Sequence, residues 1–227
     1  MKAMILAAGR GQRLRPLTDT TPKPLIHAGD KRLIEYLIEA LVSAGFSDIV
    51  INYAHLGEQF PIVLGDGEKY GTTFYYSPEL DGGLETAGGI INALPLLGNE
   101  PFLVVNGDIW TDFNFASLKD FTLAQDTQCH LVLVNNPEHN TEGDFSLDQG
   151  GQVQHHGEDK LTFSGIGIYK PAMFTGLDNS KRPLKPLFDA AIQQNQVTGQ
   201  IHHGQWSDIG TLERLNELTQ QLENEKL

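Results

Sequence analysis

Cysteine is almost missing from this chain. Cys129 stands alone among 227 residues, which excludes an intramolecular disulfide and a cysteine-based zinc site. It opens the apolar run Cys129–Val134 and is expected to be an inert core thiol. No hydrophobic run approaches the length needed to cross a bilayer. The apolar stretch after Met1-Lys2 is too short for a signal-peptide core and is interrupted by Arg10, so a cytoplasmic protein is expected. Basic residues are also scarce: 16 Lys and Arg face 29 Asp and Glu, a net charge of −13. That balance argues against nucleic acid or an anionic membrane as a partner, because both reward basic surfaces. Internal repeats and low-complexity segments are absent. The length suits one domain, residues 1–227, with ample material for a core.

The few cations are unevenly placed. Seven of the sixteen (Lys2, Arg10, Arg13, Arg15, Lys23, Lys31 and Arg32) precede residue 33, against only Asp19 and Asp30. Residues 3–8, AMILAA, read as a buried strand that empties into a loop holding Gly9, Arg10, Gly11, Arg13, Arg15 and Lys23. Glycines let backbone N–H groups approach an anion closely, and cations neutralise it. A phosphate-binding loop is therefore expected, rather than a turn with a solvated basic tail. It is not a P-loop, since no Gly-Lys-Ser/Thr follows at the required spacing. Nor is it a dinucleotide fingerprint, since Leu14 stands where the third glycine is needed.

Downstream, Leu33, Ile34, Leu37, Ile38, Leu41 and Val42 recur at helical spacing before Gly45, and residues 48–53, DIVINY, form a second buried strand. Strand, loop, helix and strand make a βαβ unit, which demands a parallel sheet with right-handed crossover. The pattern continues with a weaker helix at 56–64, a strand at 72–76, a helix at 84–94 and a strand at 101–106. A helix at 115–126 and a strand at 131–134 follow. Residues 136–162 break the alternation and read as a loop and small hairpin forming a lid or sugar-side wall. Further elements are a strand at 165–169, a helix at 184–194, a strand at 197–203 and an amphipathic helix at 211–225. The expected fold is α/β: a single doubly wound, Rossmann-like domain with a mixed, mostly parallel sheet, binding ligands at the carboxyl ends of its strands.

Two strand ends carry acid. PFLVVN runs into Gly107-Asp108, and the strand at 197–203 leads into Trp206-Ser207-Asp208-Ile209-Gly210-Thr211. Either aspartate alone could be a helix cap or turn residue. Two of them at strand ends, beside a basic phosphate loop, point to a shared Mg²⁺ site, because that ion favours carboxylate oxygen and pairs it with substrate phosphates.

The block Leu6-Ala7-Ala8-Gly9-x-Gly11-x-Arg13-Leu14-Arg15-Pro16-Leu17-Thr18 with Pro22-Lys23-Pro24-Leu25, the Gly-Asp after a central strand and the Trp-x-Asp-x-Gly-Thr near the end resemble the sugar-1-phosphate nucleotidylyltransferases. The resemblance spans residues 3–211 and implies a glycosyltransferase-A-like fold. It also implies transfer of a nucleoside monophosphate from an NTP to a sugar 1-phosphate with release of pyrophosphate. Carried over by position, Ala8, Gly9, Gly11 and Gln12 border the base and phosphates. Arg13 holds the departing pyrophosphate, and Lys23 binds the α-phosphate and the attacking sugar phosphate. Gly83 and Glu85 lie near the base, and Asn106, Gly143 and Asp144 touch the sugar. Asp108 and Asp208 bind Mg²⁺, and Arg13, Lys23 and Asp108 form the catalytic set.

Two departures from the family pattern are visible. Ser77-Pro78-Glu79 stands where thymidylyl enzymes usually place a glutamine, and the Glu-Lys-Pro that often binds the sugar is missing, with Glu158 as a candidate substitute. The VNGDIWTDF and LETAGG blocks resemble the uridylyltransferases that act on N-acetylmuramate α-1-phosphate in peptidoglycan recycling, which implies UTP as nucleotide donor. A glucose- or mannose-1-phosphate nucleotidylyltransferase and a non-catalytic nucleotide-sugar regulator are the alternatives. No left-handed β-helix segment follows the last helix, so a one-reaction enzyme is expected, as a monomer or small homo-oligomer. An N-acetylmuramate substrate carries a lactyl carboxylate and calls for a neutral or cationic sugar pocket, which the acidic 138–160 stretch does not obviously supply.

The chemistry accounts for these residue types independently. A phosphate monoester is already a nucleophile and needs no general base; the obstacle is repulsion between anions and charge growth on the leaving pyrophosphate. Fixed cations and a metal answer that obstacle. The adjacent histidines His155-His156 and His202-His203 point to opposite faces of a strand and read as polar surface positions.

Overall fold

In the computed structural model, which describes residues 1–79 and 82–224, the apolar runs become strands of one seven-stranded sheet. Its members are β1 (Ala3–Leu6), β2 (Asp48–Tyr53), β3 (Thr73–Pro78), β4 (Phe102–Asn106), β6 (Cys129–Val134), β7 (Thr162–Tyr169) and β8 (Val197–His202), in spatial order β8-β6-β7-β4-β1-β2-β3. Between β4 and β6 lies β5 (Ile109–Thr111), which pairs outside this sheet with β9 (Trp206–Asp208). β1, β2, β3 and β4 are mutually parallel, β7 runs antiparallel to both β4 and β6, and β8 is parallel to β6. The sheet is thus mixed and mostly parallel, as expected.

Helices cover both faces. The first, α1 (Leu33–Ser43), buries Leu33, Ile34, Leu37, Ile38 and Leu41, and its amino end is closed by the Glu35 carboxylate accepting from the Arg32 N–H at 2.8 Å. It shares a core with α2 (Gln59–Leu64), whose Pro61 sits in the first turn, where an N–H is not needed. The opposite face is covered by α3 (Glu85–Leu97) and α5 (Lys185–Gln193), which pack Ile90, Ala93, Phe188 and Ile192 onto Met4, Val104 and Leu131. Cys129 is buried in this core, and desolvation holds its thiol well above the usual range, so it stays neutral as expected.

A third, smaller core matters most for the site. Leu14 and Ile26 from the loop after β1 and Ile209 after β9 pack with Leu215, Leu218 and Leu222 of α6 (Leu212–Asn224). This cluster clamps the basic loop to the end of the chain. The expected helix ran to residue 225, which lies outside the described residues.

Two elements differ from the sequence reading. The helix expected at 115–126 is a single turn, α4 (Ala116–Lys119). Beyond it, Phe121 turns inward to stack on His130 at 4.2 Å, while the carbonyls of Ala124 and Gln125 accept from Lys170 Nζ at 2.7 and 2.8 Å. Tertiary partners have replaced helical hydrogen bonds. In contrast, α3 extends past residue 94 through Pro95 to Leu97. The 136–162 segment does contain a small hairpin, Ser146–Leu147 against Val153–Gln154, with Phe145 bridged to Leu161.

Candidate active site

The loop leaving β1 turns back at Gly11, whose φ of +62° places it in the left-handed region. A Cβ there would lie 2.8 Å from Thr18 Cγ2 and 3.1 Å from Lys23 Cβ, so only glycine lets the loop fold down upon Lys23. Lys23 is consequently buried, and its Nζ donates to Asp108 Oδ2 at 2.5 Å. Asp108 arrives from the neighbouring strand. Gly107 N donates to Leu6 O at 2.8 Å, an approach that a Cβ would obstruct at 2.7 Å.

The second aspartate reaches the same place by strand pairing. In the antiparallel ribbon of β5 and β9, Asp208 is the register partner of Ile109, and Ile209 N donates to Asp108 O at 2.7 Å. Residues 100 positions apart are thus neighbours at one edge of the sheet. The Asp208 carboxylate accepts from Arg214 Nη1 and pairs with His139 Nε2 at 2.8 Å. A Cβ on Gly210 would lie 3.2 Å from an Arg13 guanidinium nitrogen, which puts Arg13 beside this ribbon.

These carboxylates suit a hard divalent cation. Magnesium needs only one or two carboxylates when substrate phosphates and water complete its shell. Among the described residues no three His, Cys, Asp or Glu side chains gather into a closed metal cage. Each aspartate is already matched by a cation of the chain, Lys23 or Arg214, which balances the charge that the ion would otherwise supply.

Beside Asp108 opens a cavity of about 320 Å³, lined by Ala8, Gly9, Arg10, Lys23, Gly83 and Asp108 among others. Its inner wall is polar. Asn52 accepts from Ala7 N at 2.8 Å and donates to the buried Glu79 at 2.6 Å, and Glu79 also accepts from Leu84 N at 2.6 Å. A second cavity of about 840 Å³ continues from it, sharing Glu85, Thr86 and Asn106. Glu85 stands at the junction with φ +58°, a conformation that costs a non-glycine residue about 1–3 kcal/mol and that clusters at working sites.

The chain matches the nucleotidyl transferase family model over residues 2–225. It belongs to that family. Over 222 residues it is 54% identical to the N-acetylmuramate alpha-1-phosphate uridylyltransferase of Neisseria meningitidis serogroup B, covering 96% of both chains. A protein of the same name from Caulobacter vibrioides is 32% identical, with 92% of this chain and 91% of that one covered. The Drosophila melanogaster mannose-1-phosphate guanylyltransferase catalytic subunit beta is 31% identical, and the match spans 59% of its length. Among solved structures, HddC from Yersinia pseudotuberculosis complexed with GMP-PN superposes with a TM-score of 0.79 at 18% identity, over 97% of this chain and 99% of that one. This last likeness concerns the fold alone.

Within this nucleotidyl transferase, the residues expected from sequence divide into groups. Ala8, Gly9, Lys23, Gly83, Glu85, Asn106 and Asp108 line the first cavity. Gly143 and Asp144 line the second, where the Asp144 carboxylate accepts from Phe163 N at 2.8 Å and so pins the wall. Gly11, Gln12 and Arg13 belong to the loop after β1 but line neither cavity, and Asp208 adjoins Asp108 through the ribbon while bordering a separate depression with His139 and Arg214. Glu158 is not brought to either cavity; it borders a separate depression with Asn135, Glu142 and Asp159. His155 and His202 also depart from the surface reading. Both are half-buried, His155 and exposed His156 lining the second cavity and His202 Nε2 donating to Asp112 Oδ1 at 2.8 Å.

Sequence reasoning missed Asn52, Glu79 and Lys181 in the first cavity and the Arg214–His139 pair on Asp208. Asn52 carried a signal. It is a lone amide near the carboxyl end of an apolar strand, where Asn106 also stands on β4. Arg214 carried none, since on an amphipathic helix it looks like any solvated cation.

Proposed function

We propose that this chain transfers UMP from UTP to N-acetylmuramate α-1-phosphate, producing the UDP-sugar and pyrophosphate. The observation that carries the reading is the contact between buried Lys23 and Asp108, both lining the first cavity, with the Asp208 strand end paired next to Asp108. The named substrates are those of the relative at 54% identity.

In the reaction, an oxygen of the sugar phosphate attacks the α-phosphorus. The bond from that phosphorus to the bridging oxygen of the β-phosphate breaks, and pyrophosphate leaves with the electron pair. No proton needs to move, so the chain's task is positioning and charge stabilisation. Lys23, held by Asp108, offers its ammonium to the α-phosphate and the incoming phosphate. Arg13, on the loop after β1, steadies the departing pyrophosphate. Backbone N–H groups of the Ala8–Gly11 loop border the nucleotide, and Gly83 and Glu85 flank the base. Asn106, Gly143 and Asp144 face the sugar. Asp108 and Asp208 would hold Mg²⁺, which when bound neutralises phosphate charge and favours displacement. Among the described residues no helix is long and apolar enough to cross a membrane.

The test is pyrophosphate release with each NTP against a panel of sugar 1-phosphates in Mg²⁺. Release with UTP and N-acetylmuramate 1-phosphate, well above glucose 1-phosphate or mannose 1-phosphate with GTP, is expected. Release confined to another pair would reassign the substrates, and no release with any pair would remove the catalytic reading.

A further inference from the structure

The second cavity differs from the first in chemistry. Its floor is aromatic, with Phe145, Phe163 and Phe188 edge-on to one another at 5.5–5.9 Å. Its lining also carries two lysines, Lys160 and Lys185, and the imidazoles of His155 and His156, set against Asp144 and Glu85. Ionic or hydrogen-bond partners already occupy three of these side chains. Lys185 Nζ is held by both oxygens of Asp189 at 2.9 and 3.0 Å, and His155 Nε2 lies 3.4 Å from the same carboxylate. Asp144 is engaged by Phe163 N and by Asn140 at 3.4 Å. Lys160 is the lysine left over: it is half-buried, lines this cavity as well as the adjoining depression with Glu158, and its ammonium has no hydrogen bond or ion pair among the described residues. Its backbone is nevertheless fixed, since Lys160 O accepts from Asn136 Nδ2 at 2.9 Å. His156 is fixed likewise, its carbonyl accepting from Ser146 Oγ at 2.8 Å.

An unpartnered ammonium on an anchored backbone, in a cavity that also presents aromatic rings, is a place prepared for an anion attached to an apolar group. Glu85, Thr86 and Asn106 join this cavity to the one holding Lys23, so a sugar whose phosphate meets Lys23 extends into it. We propose that Lys160, assisted by His156, recognises the carboxylate of an acidic ether substituent on the sugar and so selects N-acetylmuramate 1-phosphate over its unsubstituted counterpart. The inference rests on the substrate reading above and assigns a specificity residue to it. It also supplies the cationic pocket that the acidic composition of 138–160 concealed.

The test compares kcat and KM for N-acetylmuramate 1-phosphate with those for N-acetylglucosamine 1-phosphate and for the N-acetylmuramate 1-phosphate carboxamide, with UTP, in wild type, Lys160→Gln and Lys160→Arg. Losing one charge-assisted contact should raise KM for the carboxylate substrate roughly 10-fold or more. The preference over the two neutral sugars should shrink accordingly, and Lys160→Arg should restore most of it. A KM increase of equal size on all three sugars would overturn the proposal by placing Lys160 on the shared phosphate. An unchanged preference in Lys160→Gln would overturn it while leaving the functional reading intact. A wild-type enzyme that ignores N-acetylmuramate 1-phosphate would overturn both. Because the Lys160 ammonium makes no hydrogen bond or ion pair with a described residue and glutamine keeps the Cβ that packs against Gly143, Lys160→Gln is expected to melt within a few degrees of wild type, and unfolding at assay temperature would shift the test to Lys160→Met.

Discussion

Lys23 and Asp108 meet at 2.5 Å across 85 residues of chain, the lysine side chain 8% exposed and the aspartate 38%. A buried ammonium with one carboxylate partner is held in place but not fully satisfied, which leaves donors free for phosphate oxygens. Asp108→Asn keeps the shape and removes the charge that orients Lys23. Turnover should fall by roughly 10²–10³, the usual cost of one preorganised electrostatic group, with the circular dichroism spectrum unchanged. Near-normal pyrophosphate release from the purified variant would contradict the assignment.

Arg13 lies on the other side of the same point, beside Gly210. Arg13→Ala should lose about 10² or more in kcat, because charge on the leaving pyrophosphate grows as the bond breaks. The substrate dissociation constant should change far less. A loss seen only in KM would make Arg13 a ground-state binding residue instead.

Arg214 and His139 both occupy the Asp208 carboxylate. A cation that needs those oxygens competes with Arg214, so Arg214→Gln should lower the Mg²⁺ concentration for half-maximal turnover by roughly 2–5-fold, the range of a partly exposed ion pair. A titration of activity against free Mg²⁺ in both proteins decides this, and an increased requirement would show that Arg214 orients the carboxylate rather than blocking it.

Gly11→Ala tests the loop geometry. Left-handed backbone strain together with contacts at 2.8 and 3.1 Å should cost about 1–3 kcal/mol in urea unfolding and displace Lys23. Activity should fall with stability. A fully stable, inactive variant would point to a direct role of the Gly11 backbone at substrate.

His130 offers a pH test remote from the site. Burial lowers its pKa, a tendency opposed in part by its Nε2 contact with Gln200 at 3.1 Å, while Nδ1 faces Thr198 Oγ1 at 2.8 Å. Because the unfolded chain takes up the proton more readily, stability should drop as pH falls below about 6.5, the ordinary histidine value, and continue to drop until the folded pKa is passed. Urea midpoints at pH 7.5 and 5.5 should therefore converge in His130→Gln. An equal acid loss in both proteins would move the cause elsewhere.

Much of this architecture could be read before folding because it depends on local pattern. DIVINY becomes a strand with the bounds its apolar run sets, and α1 follows its periodic leucines and isoleucines. The helix expected at 115–126 fails because Lys170, 46 residues beyond Ala124, claims its carbonyls. The site followed the same division. Gly107-Asp108 announced itself through an abrupt change from apolar to acidic residues. Lys160 and Asn52 did not, because their meaning comes from which neighbours are already paired and which are not, and that is fixed only when distant strands meet.

The β5–β9 ribbon has a consequence for the order of events during synthesis. Its second strand is made about a hundred residues after the first, and Ile209, which follows it, shares a buried cluster with Leu14 of the loop after β1. A nascent chain therefore carries its glycine-rich loop and first aspartate while the carboxylate pair is still half-built. The carboxylate pair proposed for the metal is therefore a product of long-range closure, complete only when a ribbon of two distant strands has formed.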